Sequence, residues 1–367
     1  MSRNRIVLLV IALVVVVILL YFLSRSNQPS SEPPQPVETT AATTVPSPST
    51  PAAEDSSPLS TPAQQQASPL SPLTTPGQFE SPLGVASPWG TGVPWPEGRL
   101  VFHSDQAGTF QIFAVVDGQG PVLLTGDLDK SVEPAFSPDG QQIAFTYYAT
   151  EPNGPDNTQI YLMNADGSNK RPLMENQPNL NWRPAWSPDG QQLLFISNRD
   201  GNFEIYKVNV DGTGLVNLTN SPSNDHDPDW SPDGSKIVFV SDRDYGVRAI
   251  YTMNPDGSDV QEIVGPECLC SYPRWSPDGS QILYASKHDT TWDLFVMNPD
   301  GSGIRQITSG SGDNFIGAWV GNDRIIFAAE EASSVGTDLY LVHLNGDDLL
   351  QLTNIPYTEE SFPHWVP

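Results

Sequence analysis

Basic residues are scarce in this chain: 17 Lys and Arg stand against 43 Asp and Glu, for a formal net charge of −26. A field of that sign repels phosphate backbones and bare anionic lipid, which sets nucleic acid aside as a partner. Charged residues of both signs make up only 16% of the chain, so the acidity reflects missing base as much as acidic runs. Cysteine is nearly absent too. The two present, Cys268 and Cys270, sit in the run CLC. Two thiols cannot supply the four ligands of a structural zinc site. They read either as two packed thiols or as a disulfide across an i,i+2 spacing. The five histidines, His103, His226, His288, His343 and His364, are scattered without metal-ligand spacing. There is no G-x-S-x-G elbow and no segment left over for a hydrolase domain, so no catalytic constellation is expected.

Proline (36) and glycine (29) are, by contrast, abundant. Before them comes one long apolar run, Ile6 to Leu23, eighteen residues without a charge. That length just spans a bilayer core as a helix. A cleaved signal would carry a shorter core and a small-residue cleavage site, which SRSNQPS after the run does not resemble. Arg3 and Arg5 precede the run, Arg25 follows it, and no further Lys or Arg appears before Arg99. The positive-inside bias therefore predicts a signal-anchor helix over 6–23, with residues 1–5 cytoplasmic and the remainder outside. Residues 24–94, rich in Pro, Ser, Thr, Gln and Ala, cannot bury enough apolar area to order themselves. They read as an extended, disordered stalk.

From about residue 95 the chain is periodic. Aligned on one aromatic per unit, Phe136, Trp186, Trp230, Trp275, Trp319 and Trp365 follow one another at spacings of 44 to 50 residues. Four units spell the same turn after it: PAFSPDG at Pro134, PAWSPDG at Pro184, PDWSPDG at Pro228 and PRWSPDG at Pro273. Pro presets φ, Asp bonds backbone amides and Gly accepts positive φ, so the tetrapeptide is a turn by construction. An alternating strand follows (KIVFVS, Lys236–Ser241; QILYAS, Gln281–Ser286). Next comes a strand closed by Asp-Gly at Asp166, Asp211, Asp256 or Asp300, a hairpin signal. A short strand ending in Leu-Thr or a relative completes the unit, as at Leu218-Thr219, Ile263-Val264, Ile307-Thr308 and Leu352-Thr353.

Four antiparallel strands per 45 residues make one propeller blade. Six final strands give an all-β, six-bladed β-propeller of four-stranded antiparallel blades over 95–367. The tail SFPHWVP, 361–367, is a first strand without its hairpin, and Pro96-Glu97-Gly98 followed by RLVFHS (Arg99–Ser104) is a hairpin without its first strand. The two are expected to pair, closing the ring and hiding the sheet edges. The fifth unit has Trp319-Val-Gly-Asn-Asp in place of the Pro-containing turn, which predicts a looser turn there.

These units resemble the TolB-type, WD40-like propeller repeat, with its pattern P-x-W-S-P-D-G…I-x-F-x-S…I-Y-x-M-N-x-D-G-S…L-T, over roughly residues 96–367. The resemblance implies a propeller that binds another molecule. TolB itself binds a peptidoglycan-linked lipoprotein in the periplasm and carries a small α/β domain before its propeller. Here a membrane run and a stalk occupy that place.

Turns that hardly vary between units are structural. Function is expected on the opposite face, where loops such as TYYATEPNGPDNTQ (Thr146–Gln159), SNRDGNFE and SDRDYGVRA vary. Residues entering the first strands should ring the channel mouth: Glu133, Trp182, Arg183, Asp225, His226, Asp227, Tyr272, Phe315 and Glu360. Asp225, Asp227 and Asp229 supply oxygens of a kind that suits calcium. Counted from Asp225, however, the sixth and twelfth positions are Trp230 and Lys236 rather than the Gly and Glu of an EF-hand loop, and Asn198 to Asn202 is a similarly weak match. No metal or other cofactor is expected. The sequence thus predicts a membrane-tethered, extracytoplasmic scaffold for an envelope or extracellular protein, peptide or glycan. The alternative is a propeller lyase or hydrolase with its site at the channel mouth.

Overall fold

The computed structural model describes residues 95–149, 157–175, 179–288, 290–309, 312–330 and 336–367. The expected anchor helix and stalk, and the centre of the longest variable loop, lie outside the described residues.

Six four-stranded antiparallel sheets make up the described chain. Blade 1 runs from Lys130–Phe136 to Arg171–Pro172 and blade 2 from Asn181–Trp186 to Val216–Asn217. Blade 3 runs from Asp225–Trp230 to Gln261–Val264, blade 4 from Ser271–Trp275 to Arg305–Gln306, and blade 5 from Asp313–Val320 to Leu350–Gln351. Blade 6 is split: its first strand is Glu360–Val366, and its other three are Arg99–Ser104, Gln111–Val116 and Val122–Leu123. Arg99 pairs with Val366 and Ser104 with Glu360, so the two ends of the propeller share one sheet. Each first strand touches the first strand of the next blade, and the last touches blade 1, so the ring is closed. Trp95 does not start a strand of its own. It lies buried, stacked on Phe102 with ring centroids 6.1 Å apart.

The recurring motifs have local causes. In SPDG the Ser137 hydroxyl donates to Asp139 Oδ1 (2.6 Å) and accepts the Gln142 N–H (2.9 Å), while Gly140 takes φ +65°. Blades 2, 3 and 4 repeat the serine–aspartate bond. In blade 5 the expected looser turn is instead shorter: Asp313–Val320 joins Arg324–Glu330 through three residues. There the first strand pairs for one residue beyond its aromatic, Val320 with Arg324.

The Asp-Gly turns also join blades. A Cβ on Gly301 would lie 1.9 Å from the Ile263 carbonyl oxygen, and one on Gly257 2.4 Å from that of Leu218. Each glycine therefore lets its hairpin rest on the outer strand of the preceding blade. The threonine of Leu-Thr ties the outer strand to the third. Thr308 Oγ1 donates to Asp293 (3.0 Å) and accepts the Leu294 N–H (2.9 Å), and Thr353 does the same with Asp338 and Leu339. The blade aromatics pack between sheets in six separate clusters. Two of their indoles also reach across: Trp186 Nε1 donates to the Ala135 carbonyl (3.0 Å) and Trp319 Nε1 to that of Arg274 (3.1 Å).

Candidate functional site: a ring of bulge residues across the channel

The first strand of every blade carries a register shift just before its aromatic. At that bulge one residue takes positive φ: Glu133 (55°), Arg183 (58°), Asp227 (54°), Tyr272 (55°), Ile316 (53°) and Phe362 (52°). All six stand three residues before the blade aromatic; five directly precede proline, and Ile316 precedes Gly317. A bulge re-aims a side chain out of the strand's alternation. Here it produces one inward residue per blade.

Arg183 dominates the ring. Its Nη1 pairs with Asp227 Oδ1, its Nε donates to Glu133 Oε1 (3.2 Å) and its Nη2 to the Tyr272 hydroxyl (3.1 Å). The guanidinium carbon lies 4.7 Å from the centre of the Tyr272 ring and 5.7 Å from that of Phe362. Side chains of four other blades thus converge on one cation. Burial by itself would lower the Arg183 pKa, but Tyr272 and Glu133 beside it hold it above the ordinary value. The group is a fixed positive charge.

Backbone amides freed by the bulges are taken up by the preceding blade. The Glu133 N–H donates to His103 Nδ1 (3.1 Å), the Arg183 N–H to Glu133 Oε2 (3.0 Å) and the Tyr272 N–H to Asp227 Oδ2 (3.2 Å). His103 is buried among Phe110 and Phe362, and burial, aided by Lys130, drops its pKa to about 3. The ring is therefore both a plug and an inter-blade clasp.

Of the residues expected at the channel mouth, Glu133, Arg183, Asp227 and Tyr272 form the ring. Trp182 and His226 stand one position earlier and sandwich Phe203, with ring centroids 5.1 and 5.5 Å apart. Burial, with Arg248 and Arg183 near, lowers the His226 pKa to about 4, so it is neutral at pH 7. Asp225 and Glu360 do not face the channel. They stand two positions before the ring and turn into their blades, with no exposed surface. Asp225 accepts from Arg243 Nη2 (2.9 Å) and Glu360 from Ser104 (2.7 Å). Phe315 is half-buried between blade cores, and its neighbour Ile316 takes the ring position instead. Ile316 and Phe362 are ring members that the sequence reading did not single out. Counting three back from each aromatic finds both.

The acidic run of blade 3 is divided among arginines: Asp225 with Arg243, Asp227 with Arg183, Asp229 with Arg274. Asp200, in the other loop considered for calcium, accepts from the Tyr206 hydroxyl, while Arg199 lies over the Tyr206 ring at 4.6 Å. The same arrangement recurs with Asp244, Tyr251 and Arg243, so Arg-Asp in these loops clamps an aromatic of the third strand. Cys268 and Cys270 are joined as a disulfide with Cα atoms 5.0 Å apart, beside the core of blades 3 and 4.

Residues 113–367 match the family described as the TolB beta propeller domain. Among solved structures, the chain is similar to TolB from Acinetobacter baumannii at 21% identity, over 76% of this chain and 69% of that one, with a TM-score of 0.63. A putative TolB from Agrobacterium tumefaciens matches at 18% identity over 74% and 98%, with a TM-score of 0.56. A nidogen/laminin complex matches at 10% identity over 72% and 98%, with a TM-score of 0.55. At these identities the likeness is one of fold. No curated protein matches the chain in sequence.

Proposed function

The chain belongs to the TolB beta propeller family, and on that premise we propose that it is a non-catalytic binding module, held at the outer side of a membrane by residues 6–23 and displayed on the stalk 24–94. Its ligand is a protein, peptide or glycan of the envelope or surroundings, taken on the variable-loop face. The observation that carries this reading is the state of the ring. Its acids, Glu133 and Asp227, are both committed to Arg183, which directs one nitrogen to each of them and the third to Tyr272. Catalysis by acid and base needs a group free to exchange a proton near the working pH. This centre offers rigidity and a fixed charge, as a docking platform does.

The partner chemistry fits the half-buried aromatics above the ring and the exposed Arg248 beside them. Trp182, Phe203 and His226 make an aromatic row next to Arg248, whose Nη1 donates to Ser271 (2.9 Å). A sugar ring or a peptide side chain can stack there while the arginines meet its polar groups. A structure of a nidogen/laminin complex shares this fold, which supports a protein partner.

An affinity capture tests the proposal. The full chain and a variant with Trp182→Ala and Arg248→Ala are used as baits against envelope extract from the source cells. The proposal expects at least one partner retained by the first and lost by the second. Identical partner sets contradict it.

A further inference from the structure

Behind the ring, towards the SPDG face, the channel widens into a cavity of about 440 Å³. The ring residues Glu133, Arg183, Ile316 and Phe362 form its floor, and the SPDG prolines of four blades line it further out. It does not depend on the variable-loop face or on the function proposed for that face.

The repeat itself points to what is unusual there. The residue just before each blade aromatic faces this cavity. It is alanine in blades 1, 2 and 5, at Ala135, Ala185 and Ala318. In the other three blades it is Asp229, Arg274 and His364. A scaffold that needs only alanine there has placed three polar groups in a confined space walled by tryptophan and proline.

Their hydrogen bonds leave them incompletely used. Arg274 makes one bond, from Nη1 to the Pro228 carbonyl (3.3 Å). Its nearest approach to Asp229 is 4.0 Å, an ion pair without a direct hydrogen bond. A guanidinium has five N–H donors, so most of them have no partner among the described residues. Asp229 uses Oδ2 to accept the Trp275 N–H (2.9 Å), and Oδ1 faces Arg274 across that gap. His364 Nδ1 accepts the Phe136 N–H (3.3 Å). Burial, with Arg274 nearby, holds its pKa at about 4, so the ring is neutral at pH 7 and its proton sits on Nε2. That N–H has no partner among the described residues either.

The cavity therefore presents unspent donors, on Arg274 and His364, beside an Asp229 carboxylate oxygen that faces Arg274 without a direct hydrogen bond to it. The wall around them is apolar and aromatic. We propose that this cavity binds a free α-amino acid with a large apolar side chain, its carboxylate on Arg274 and His364, its ammonium on Asp229 and its side chain against the tryptophans. An α-amino acid zwitterion carries its two charges on groups attached to one carbon, which suits a cation and an anion held 4.0 Å apart without touching. A simple anion would face Asp229 unpaired and a simple amine would face Arg274 unpaired. Leaving one such group desolvated without a partner is costly.

Calorimetric titration of the purified full-length chain with L-phenylalanine, 3-phenylpropionate and 2-phenylethylamine tests this. L-Phenylalanine is expected to bind saturably at one site per chain. Each analogue, which lacks one of the two charges, should bind at least about tenfold more weakly. Arg274→Gln should weaken L-phenylalanine by a similar factor. The substitution also removes the cation facing Asp229, so some loss of melting temperature is expected, and the two analogues test the charge requirement on the unsubstituted chain. Absence of saturable L-phenylalanine binding overturns the proposal. So does equal binding of 3-phenylpropionate, which would make the cavity a plain carboxylate site, or unchanged affinity in the variant.

Discussion

Ser104 and Glu360 are 256 residues apart in sequence and joined by a hydrogen bond of 2.7 Å inside one blade. Glu360 has no exposed surface. Burial lifts its pKa to about 7, against the opposing hydrogen bond from Ser104. The folded state therefore holds a proton on Glu360 between about pH 4.5 and 7, where the unfolded chain has released it. The associated stability is fully present below pH 4.5 and is lost as pH rises through 7. Glu360→Gln keeps an acceptor for Ser104 but does not titrate. At pH 8 it is expected to be more stable than the unsubstituted chain by up to about 3 kcal/mol, with the gap closing by pH 5. Urea unfolding at the two pH values measures this, and an equal offset at both would refute the assignment.

The Arg183 centre makes a second prediction. Asp227 is almost wholly buried, and Arg183→Met leaves its carboxylate without a counter-charge. A loss of about 3–5 kcal/mol is expected. Adding Asp227→Asn should recover much of it, because the orphaned charge is gone. A double variant no more stable than the single one would show that the ring does not couple these two residues.

A third concerns the seams between blades. Gly301→Ala drives a methyl into the Ile263 carbonyl of the preceding blade at φ +81°, whereas at Gly108, φ +92°, the same methyl meets nothing within 4 Å. The first substitution should cost about 2–4 kcal/mol and the second about 1–2, the backbone strain alone. Thermal unfolding of the two variants side by side gives the comparison, and equal losses would mean that the hairpin does not bear on its neighbour.

Much of the fold could be read from the chain because each blade solves the same packing problem with the same letters. The aromatic spacing, SPDG, Asp-Gly and Leu-Thr each have a hydrogen bond or a close approach that requires them, so repetition was evidence of geometry. The split blade was legible for the same reason, since a first strand stood at one end and its hairpin at the other. The site was only half legible. Alternation along a strand predicts which residues face the channel, but the bulge at Glu133, Arg183 and their equivalents interrupts that period. Residues beyond it, such as Asp225 and Glu360, consequently turn into the blade rather than the channel. The polar triplet Asp229, Arg274 and His364 lay inside the best-defined motif. It was hidden because a position that is alanine in three blades reads as scaffold until the cavity beside it is seen. The blade 5 turn went the other way: the strand runs on past Trp319 and the turn shortens rather than loosens.

The closed ring underlies every role assigned to the channel, and removal of Ser361–Pro367 tests it most directly. The truncation strips the first strand from blade 6, exposes the Arg99–Ser104 edge and takes away Phe362, His364 and Trp365. Followed by differential scanning calorimetry, the truncated chain is expected to melt about 10 °C or more below the full chain, or to lose its cooperative transition altogether. A melting curve that overlays that of the full chain would contradict closure by the split blade.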